Sequence, residues 1–240
     1  MPLVALLDGT VLAERTGPAP KVLALHGWGR SRADLLPAVA GVDALVPDLP
    51  GFGASPPPPS SWGSQEYAEC LAPLLDGGGW TVLGHSFGGR VAVQLAAGWP
   101  ELVSSVVLTG VPLLRRTAPG SAAPLAFRVA KALSRLGLVS AARMEQERRR
   151  HGSADYRNAS GVMRDCLVRL VNEDYRDLLP AITAPVQLVW GEGDTAAPVA
   201  MAREAQSLLA RAGLVVSPTS GHLLDDELCA LLRAALAGPA

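Results

Sequence analysis

The chain has 240 residues, 49% hydrophobic and 18% charged, with a mean hydropathy of +0.24. That size suits one domain, or one domain with a sizeable insertion, and the apolar content excludes a disordered polypeptide. A formal net charge of −1 supplies no basic field for nucleic acid, and no uninterrupted apolar run of about 18 residues is present to span a bilayer, so neither a nucleic-acid partner nor stable membrane insertion is expected.

The start, Met1-Pro2-Leu3-Val4, lacks a basic export region, so a cytoplasmic location is expected. Cys70, Cys166 and Cys229 are odd in number, scattered and without a C-x-x-C pair. They read as buried small hydrophobes in a reducing compartment. With four histidines dispersed beside them, no zinc site is expected, nor any other cofactor.

In chain order, short Val- and Leu-rich runs predict strands over 4–7 and 11–15, joined at Asp8-Gly9 as an antiparallel hairpin. Strands and helices then alternate: strand 22–26, helix 32–40, strand 44–47, helix 64–75, strand 81–84, helix 86–98 and strand 105–109. Between about 111 and 180 the rhythm stops, and amphipathic helices such as 124–138 and 161–172 are predicted instead. It resumes with strand 186–190, helix 198–212, strand 214–217 and helix 223–237. This alternation predicts an α/β fold, a mostly parallel eight-stranded sheet with helices on both faces. The expected organisation is a core of 1–110 and 181–240 carrying a helical lid, or cap, at 111–180. Prolines 56–59 form a stiff loop too short to separate domains.

The stretch Thr81-Val82-Leu83-Gly84-His85-Ser86-Phe87-Gly88-Gly89 is a strand, then G-H-S-F-G, then a helix. Glycines two positions either side of Ser86 relieve crowding at a sharp strand-to-helix turn, which lifts the hydroxyl to the start of the helix. The helix N-terminus favours developing negative charge there. The bland alternative is a serine N-cap in a glycine-rich turn.

A serine nucleophile needs a base, and four histidines compete. His26 ends a strand, His85 precedes Ser86 with its side chain expected to point away from the serine's, and His151 follows three arginines on the insertion. His222 lies in the loop after the last strand, where parallel sheets place their chemistry, and is the expected base. The orienting acid should also follow a strand. Gly191-Glu192-Gly193-Asp194 offers two carboxylates, of which Asp194 lies further out on the loop and Glu192 competes. Asp225 and Asp226 read as caps of the last helix, and Asp48 as a structural loop residue.

The order Ser86, Asp194, His222 resembles the α/β-hydrolase superfamily. His26-Gly27-Trp28-Gly29, Asp48-Leu49-Pro50-Gly51-Phe52-Gly53-Ala54-Ser55, Gly84 to Gly89, Gly191 to Asp194 and Gly221-His222 all look like motifs of its lid-bearing branch. The resemblance covers residues 1 to about 110 and 180 to 240. The first two motifs look most like carboxylesterases such as the pimeloyl-carrier-protein methyl ester esterases. The resemblance implies an α/β-hydrolase fold and an oxyanion hole made by the backbone N–H groups of Phe87 and Trp28, with His26 and Gly27 shaping the first loop.

Charge is unevenly placed. Residues 111–170 hold twelve Lys/Arg and four Asp/Glu, a net of +8, so the remaining 180 residues carry −9. One reading is a basic lid that attracts an anionic or carrier-bound substrate; the other is a set of solvated helix faces. The expected activity is a serine hydrolase cleaving a small-molecule carboxylic ester or thioester through an acyl-enzyme on Ser86. A C–C bond hydrolase or a lyase/cyclase using the same triad is the rival, since fold and triad do not set the bond broken.

Overall fold

The computed structural model of the protein describes residues 3–115 and 154–238. The helix predicted over 124–138 lies outside them, as do His151 and Arg148, Arg149 and Arg150. All eight predicted strands are present: β1 (Leu3–Leu6), β2 (Val11–Arg15), β3 (Val22–Leu25), β4 (Ala44–Asp48), β5 (Trp80–His85), β6 (Val103–Thr109), β7 (Val186–Gly191) and β8 (Ala212–Ser217). They form one sheet in the order β1-β2-β4-β3-β5-β6-β7-β8. The pairs β1/β2 and β2/β4 are antiparallel and the rest parallel. The described helices are α1 (Ser64–Leu71), α2 (Phe87–Gly98), α3 (Ala154–Asn158), α4 (Gly161–Leu170), α5 (Val199–Leu208) and α6 (Asp226–Leu236).

Both faces of the sheet are buried along its central strands, β3 to β7, which is why these read as nearly continuous apolar runs, while the edge strands β1 and β8 are partly exposed. Leu23, Leu25, Val106 and Leu108 enter a core shared with α1, α2 and α5. Their neighbours Val22, Ala24 and Val107 enter a second core with Leu228, Cys229 and Leu232 of α6. This is the period-2 alternation of a strand packed on each side.

Several helices differ from expectation, and proline explains the first two. Residues 32–40 form two short 3-10 turns, Arg32–Asp34 and Pro37–Val39, because Pro37 has no N–H to continue the ladder. Helix α1 ends at Leu71 and passes into a 3-10 turn containing Pro73. The stretch predicted over 198–212 stops at Leu208, since Ala212 already pairs with Val186 to open β8. Helix α6 starts at Asp226 because Asp225 is its N-cap, accepting the Leu228 N–H at 2.8 Å. Pro47 is tolerated in β4 because the pairing with β3 involves only Ala44 and Leu45.

After α4 the chain returns to the core. Leu170, Tyr175 and Leu179 are buried in the first core. The Tyr175 hydroxyl donates to Ser64 Oγ at 2.9 Å, Glu173 accepts the Ser64 N–H at 2.9 Å, and Arg90 holds the Leu170 carbonyl.

From β3 the chain runs outward to β4, then returns to the other side of β3 as β5. The carboxyl ends of β3 and β5 therefore flank a topological switch point, where open α/β sheets leave a crevice. The loops there carry Trp28 and Ser86.

Candidate active site

Ser86 sits between β5 and α2 with φ 51° and ψ −112°, a conformation L-residues rarely adopt and one that costs about 1–3 kcal/mol. Neighbouring glycines make the turn possible through close approach. A Cβ on Gly84 would lie 2.4 Å from the Gly89 Cα, and one on Gly88 would lie 2.2 Å from the Leu25 carbonyl oxygen. The Ser86 N–H donates to the Thr109 carbonyl at 2.9 Å, tying the turn to β6. Its side chain makes no capping bond to α2, so the plain N-cap role is not adopted.

Asp194 and His222 meet across the loops that follow β7 and β8. One Asp194 carboxylate oxygen, Oδ1, accepts the N–H groups of Ala196 and Ala197, both at 2.8 Å. That leaves Oδ2 aimed at His222 Nδ1, 2.8 Å away. Since a carboxylate accepts, Nδ1 carries the proton and Nε2 presents its lone pair. Glu192, the competing carboxylate, is exposed. Gly110, at φ +59°, lies beneath the pair: a Cβ there would be 3.1 Å from His222 Nδ1 and 3.2 Å from Asp194 Oδ2.

Among the described residues no hydrogen bond joins His222 to Ser86 Oγ. The neighbour of Ser86, His85, does contact the pair: its ring centroid lies 5.2 Å from that of His222. His85 Nε2 is 3.0 Å from the His222 carbonyl oxygen. This contact of His85 with His222 was not anticipated from the sequence. No local signal could reveal it, because the partner is 137 positions along the chain.

His26 is a satisfied structural residue. Its Nε2 accepts the Leu49 N–H at 2.9 Å, so Nδ1 carries the proton that faces the Gly27 carbonyl at 2.7 Å. Burial lowers its pKa. The His26 carbonyl in turn accepts the Gly88 N–H at 3.0 Å, locking the 26–29 loop onto the elbow. Asp48 has the structural role expected: it is buried, accepts the N–H groups of Arg32 and Ala54 at 2.8 Å each, and pairs with the Arg32 guanidinium.

The amides of Trp28 and Phe87 lie on the two loops flanking the switch point. Among the described residues neither N–H has an acceptor, and Phe87 is the first residue of α2, whose N–H lacks an intrahelical partner. The chain has five Trp, three Tyr and three Phe, and five of these gather here. Ring centroids are 4.8 Å apart for Trp28–Phe52, 5.5 Å for Trp28–Phe87, 5.0 Å for Tyr67–Phe87 and 5.3 Å for Trp62–Tyr67. Burial raises the Tyr67 pKa, and its hydroxyl donates to the Pro50 carbonyl at 3.1 Å. A cleft of about 440 Å³ opens between Trp28, Phe52 and the α3–α4 segment, where Asn158, Ser160 and Met163 form the opposite wall. A larger groove of about 650 Å³ lies under α6 against β7 and β8, away from these groups. Among the described residues no three His, Cys, Asp or Glu side chains converge as a metal-ligand set.

A sequence model of the alpha/beta hydrolase family matches residues 22–233. The chain is also 30% identical over 246 residues to the pimeloyl-[acyl-carrier protein] methyl ester esterase of Aromatoleum aromaticum, covering 89% of this chain and 96% of that protein. The chain belongs to the alpha/beta hydrolase family. Solved structures of similar shape include an esterase from Exiguobacterium antarcticum, with a TM-score of 0.72, 21% identity and coverage of 98% of this chain and 97% of that one. A thermophilic esterase from Thermogutta terrifontis superposes with a TM-score of 0.69 at 22% identity, covering 99% and 97%. At such identities these two report on the fold of this alpha/beta hydrolase alone.

Proposed function

We propose that this alpha/beta hydrolase is a serine esterase that cleaves a carboxylic ester or thioester through an acyl-enzyme on Ser86. The observation that carries the reading is the Asp194–His222 contact of 2.8 Å, formed on the two loops beside the strained serine turn. In this mechanism His222 Nε2 takes the Ser86 proton as the oxygen attacks the substrate carbonyl, while Asp194 holds the imidazole in the tautomer with Nδ1 protonated. The oxyanion of the tetrahedral intermediate accepts from the Phe87 and Trp28 amides, each donor worth about 3 kcal/mol at that stage. His222 then protonates the departing alkoxide or thiolate. Water, deprotonated by the same nitrogen, attacks the acyl-enzyme, and Ser86 recovers its proton as the acid leaves.

The aromatic wall of Trp28, Phe52 and Phe87 suits an acyl or aromatic group beside the scissile bond. The segment 111–180 acts as a lid over the core of 1–110 and 181–240. Its excess of positive charge favours an anionic or carrier-bound substrate, consistent with the substrate in the name of the Aromatoleum relative. Three of its described arginines serve local structure: Arg115 binds Asn172, Arg164 the Ala159 carbonyl, and Arg169 pairs with Glu66. The substrate-attracting charge is assigned to the other Lys/Arg of the segment, Arg148, Arg149 and Arg150 among them. Three free thiols fit action in the cytoplasm.

Fluorophosphonate labelling followed by peptide mapping tests the nucleophile. Label should appear on Ser86 and vanish in Ser86→Ala; full labelling of the variant would end the proposal. A p-nitrophenyl ester panel, with and without a remote carboxylate, then reads substrate class. An advantage of the anionic ester that shrinks with added salt is expected, because exposed charges are screened within about 8 Å at physiological ionic strength.

A further inference from the structure

Buried polar atoms without partners are uncommon, and each asks for an explanation. Among the described residues, one such side-chain atom is His85 Nδ1. The residue is 2% exposed, and its ring lies over Gly27, where a Cβ would approach Nδ1 to 3.1 Å. Its other nitrogen, Nε2, is 3.0 Å from the His222 carbonyl oxygen. A carbonyl only accepts, so Nε2 carries the proton, Nδ1 is a bare lone pair against the Gly27 backbone, and the ring is neutral. An apolar residue of the same size would leave no orphaned nitrogen, so the histidine contributes something an apolar residue would not.

What it contributes is a hydrogen bond to the backbone of the residue whose imidazole faces Asp194. The 218–224 loop has few other anchors near that point. Upstream, the Ser220 carbonyl accepts the Gly193 N–H at 3.0 Å; downstream, Asp225 caps α6. Between them Leu223 is 59% exposed, and the His222 carbonyl is held by His85. We infer that His85 is a positioning residue: it hangs the His222 backbone from the strand that carries Ser86, setting the distance between base and nucleophile. The inference rests on the assignment of His222 as the base.

The geometry suggests three diagnostic variants. In glutamine the side-chain nitrogen is the same number of bonds from Cα as histidine Nε2, so His85→Gln keeps a donor in reach of the carbonyl. His85→Met keeps the volume and removes the donor. His85→Asn keeps an amide that stops one bond short. Turnover of a p-nitrophenyl ester should fall about 100-fold in kcat for His85→Met and His85→Asn, with KM nearly unchanged, as expected for a misplaced catalytic group. His85→Gln should recover most of that loss. The downfield proton resonance of His222 Nδ1–H should shift or broaden in the Met and Asn variants and return in Gln, a readout that general packing loss would not order by donor reach. Melting temperatures identify any variant that fails to fold, and the polar Asn variant preserves the comparison if Met does. Equal kcat and an unmoved resonance in folded Met or Asn variants would overturn the inference. His222→Ala separates the two claims: if it stays active, the base assignment fails; if it is dead while the folded His85 variants are unaffected, only the role of His85 fails.

Discussion

The turn around Ser86 is built from neighbours in sequence, whereas the Asp194–His222 pair joins residues 28 positions apart. In the turn, Gly84 and Gly88 remove the Cβ atoms that would otherwise strike the backbone of α2 and β3, and Gly89 one that would strike Val111. Its constraint is steric and backbone-borne, and relaxing it means moving strands. In the Asp194–His222 pair, side-chain and loop hydrogen bonds do the holding: Asp194 to Ala196 and Ala197, Gly193 to Ser220, and Ser220 Oγ to Asp225 at 3.0 Å. These bonds can be lost singly while the sheet stands. One region therefore couples function to folding, and the other leaves them separable.

The sharpest way to break that contrast is at Asp194, the proposed acid. Asp194→Asn should lower kcat by about 10⁴-fold, since the amide can present its NH₂ to Nδ1 and favour the wrong tautomer. The fold should survive, and Glu192→Gln should be mild because Glu192 is exposed. Steady-state kinetics with circular dichroism on both variants checks this; a crippled Glu192→Gln would transfer the acid role.

In the turn, the same experiment should damage folding first. Gly88→Ala places a Cβ against the Leu25 and His26 carbonyls at 2.2 and 2.7 Å, and backbone cannot yield as a side chain can. A loss of more than about 3 kcal/mol is expected. Gly193→Ala, whose Cβ would stand 3.2 Å from the Ser220 carbonyl, should cost far less. Urea denaturation of the two variants compares them directly.

Acid stability probes the junction between the regions. Burial holds the His85 pKa at about 4, below the ordinary 6.5. Between those values the unfolded chain binds the proton and the folded one does not, so stability present above pH 6.5 is lost as pH falls and levels off below about 4. The total is about 3 kcal/mol from this residue. His26, lowered by the same desolvation, acts in the same direction. Denaturation midpoints across this range should fall in the parent, and fall less in His85→Gln. An equal slope in both would remove His85 as the source.

The smallest expected effect runs opposite to function. Ser86→Gly should inactivate the enzyme yet raise stability by about 1 kcal/mol, because glycine adopts the φ 51° conformation without the strain a side chain incurs. Thermal melts against Ser86→Ala, which keeps the Cβ, isolate that strain.

Local patterning was enough to read all eight strands, the β1–β2 hairpin and the serine turn, because each depends on alternation or on glycines a few residues apart. It also placed Asp225 at the start of α6. It overextended helices at Pro37 and Pro73, where a missing N–H outweighed apolar periodicity. The roles of individual histidines were another matter. His26 and His85 both follow apolar strand residues and look alike in sequence. One is satisfied on both nitrogens by Gly27 and Leu49, and the other is left with an orphan over Gly27 and a bond to a loop 137 residues away. Sequence by itself determined the kinds of groups present and their order along the sheet, since steric and hydrophobic periodicities are short-range. Which carboxylate faces which imidazole, and what holds that imidazole's backbone, were decided only when the sheet order brought the ends of β5, β7 and β8 together, because a hydrogen bond acts over about 3 Å and nothing in the chain's linear spacing encodes that distance.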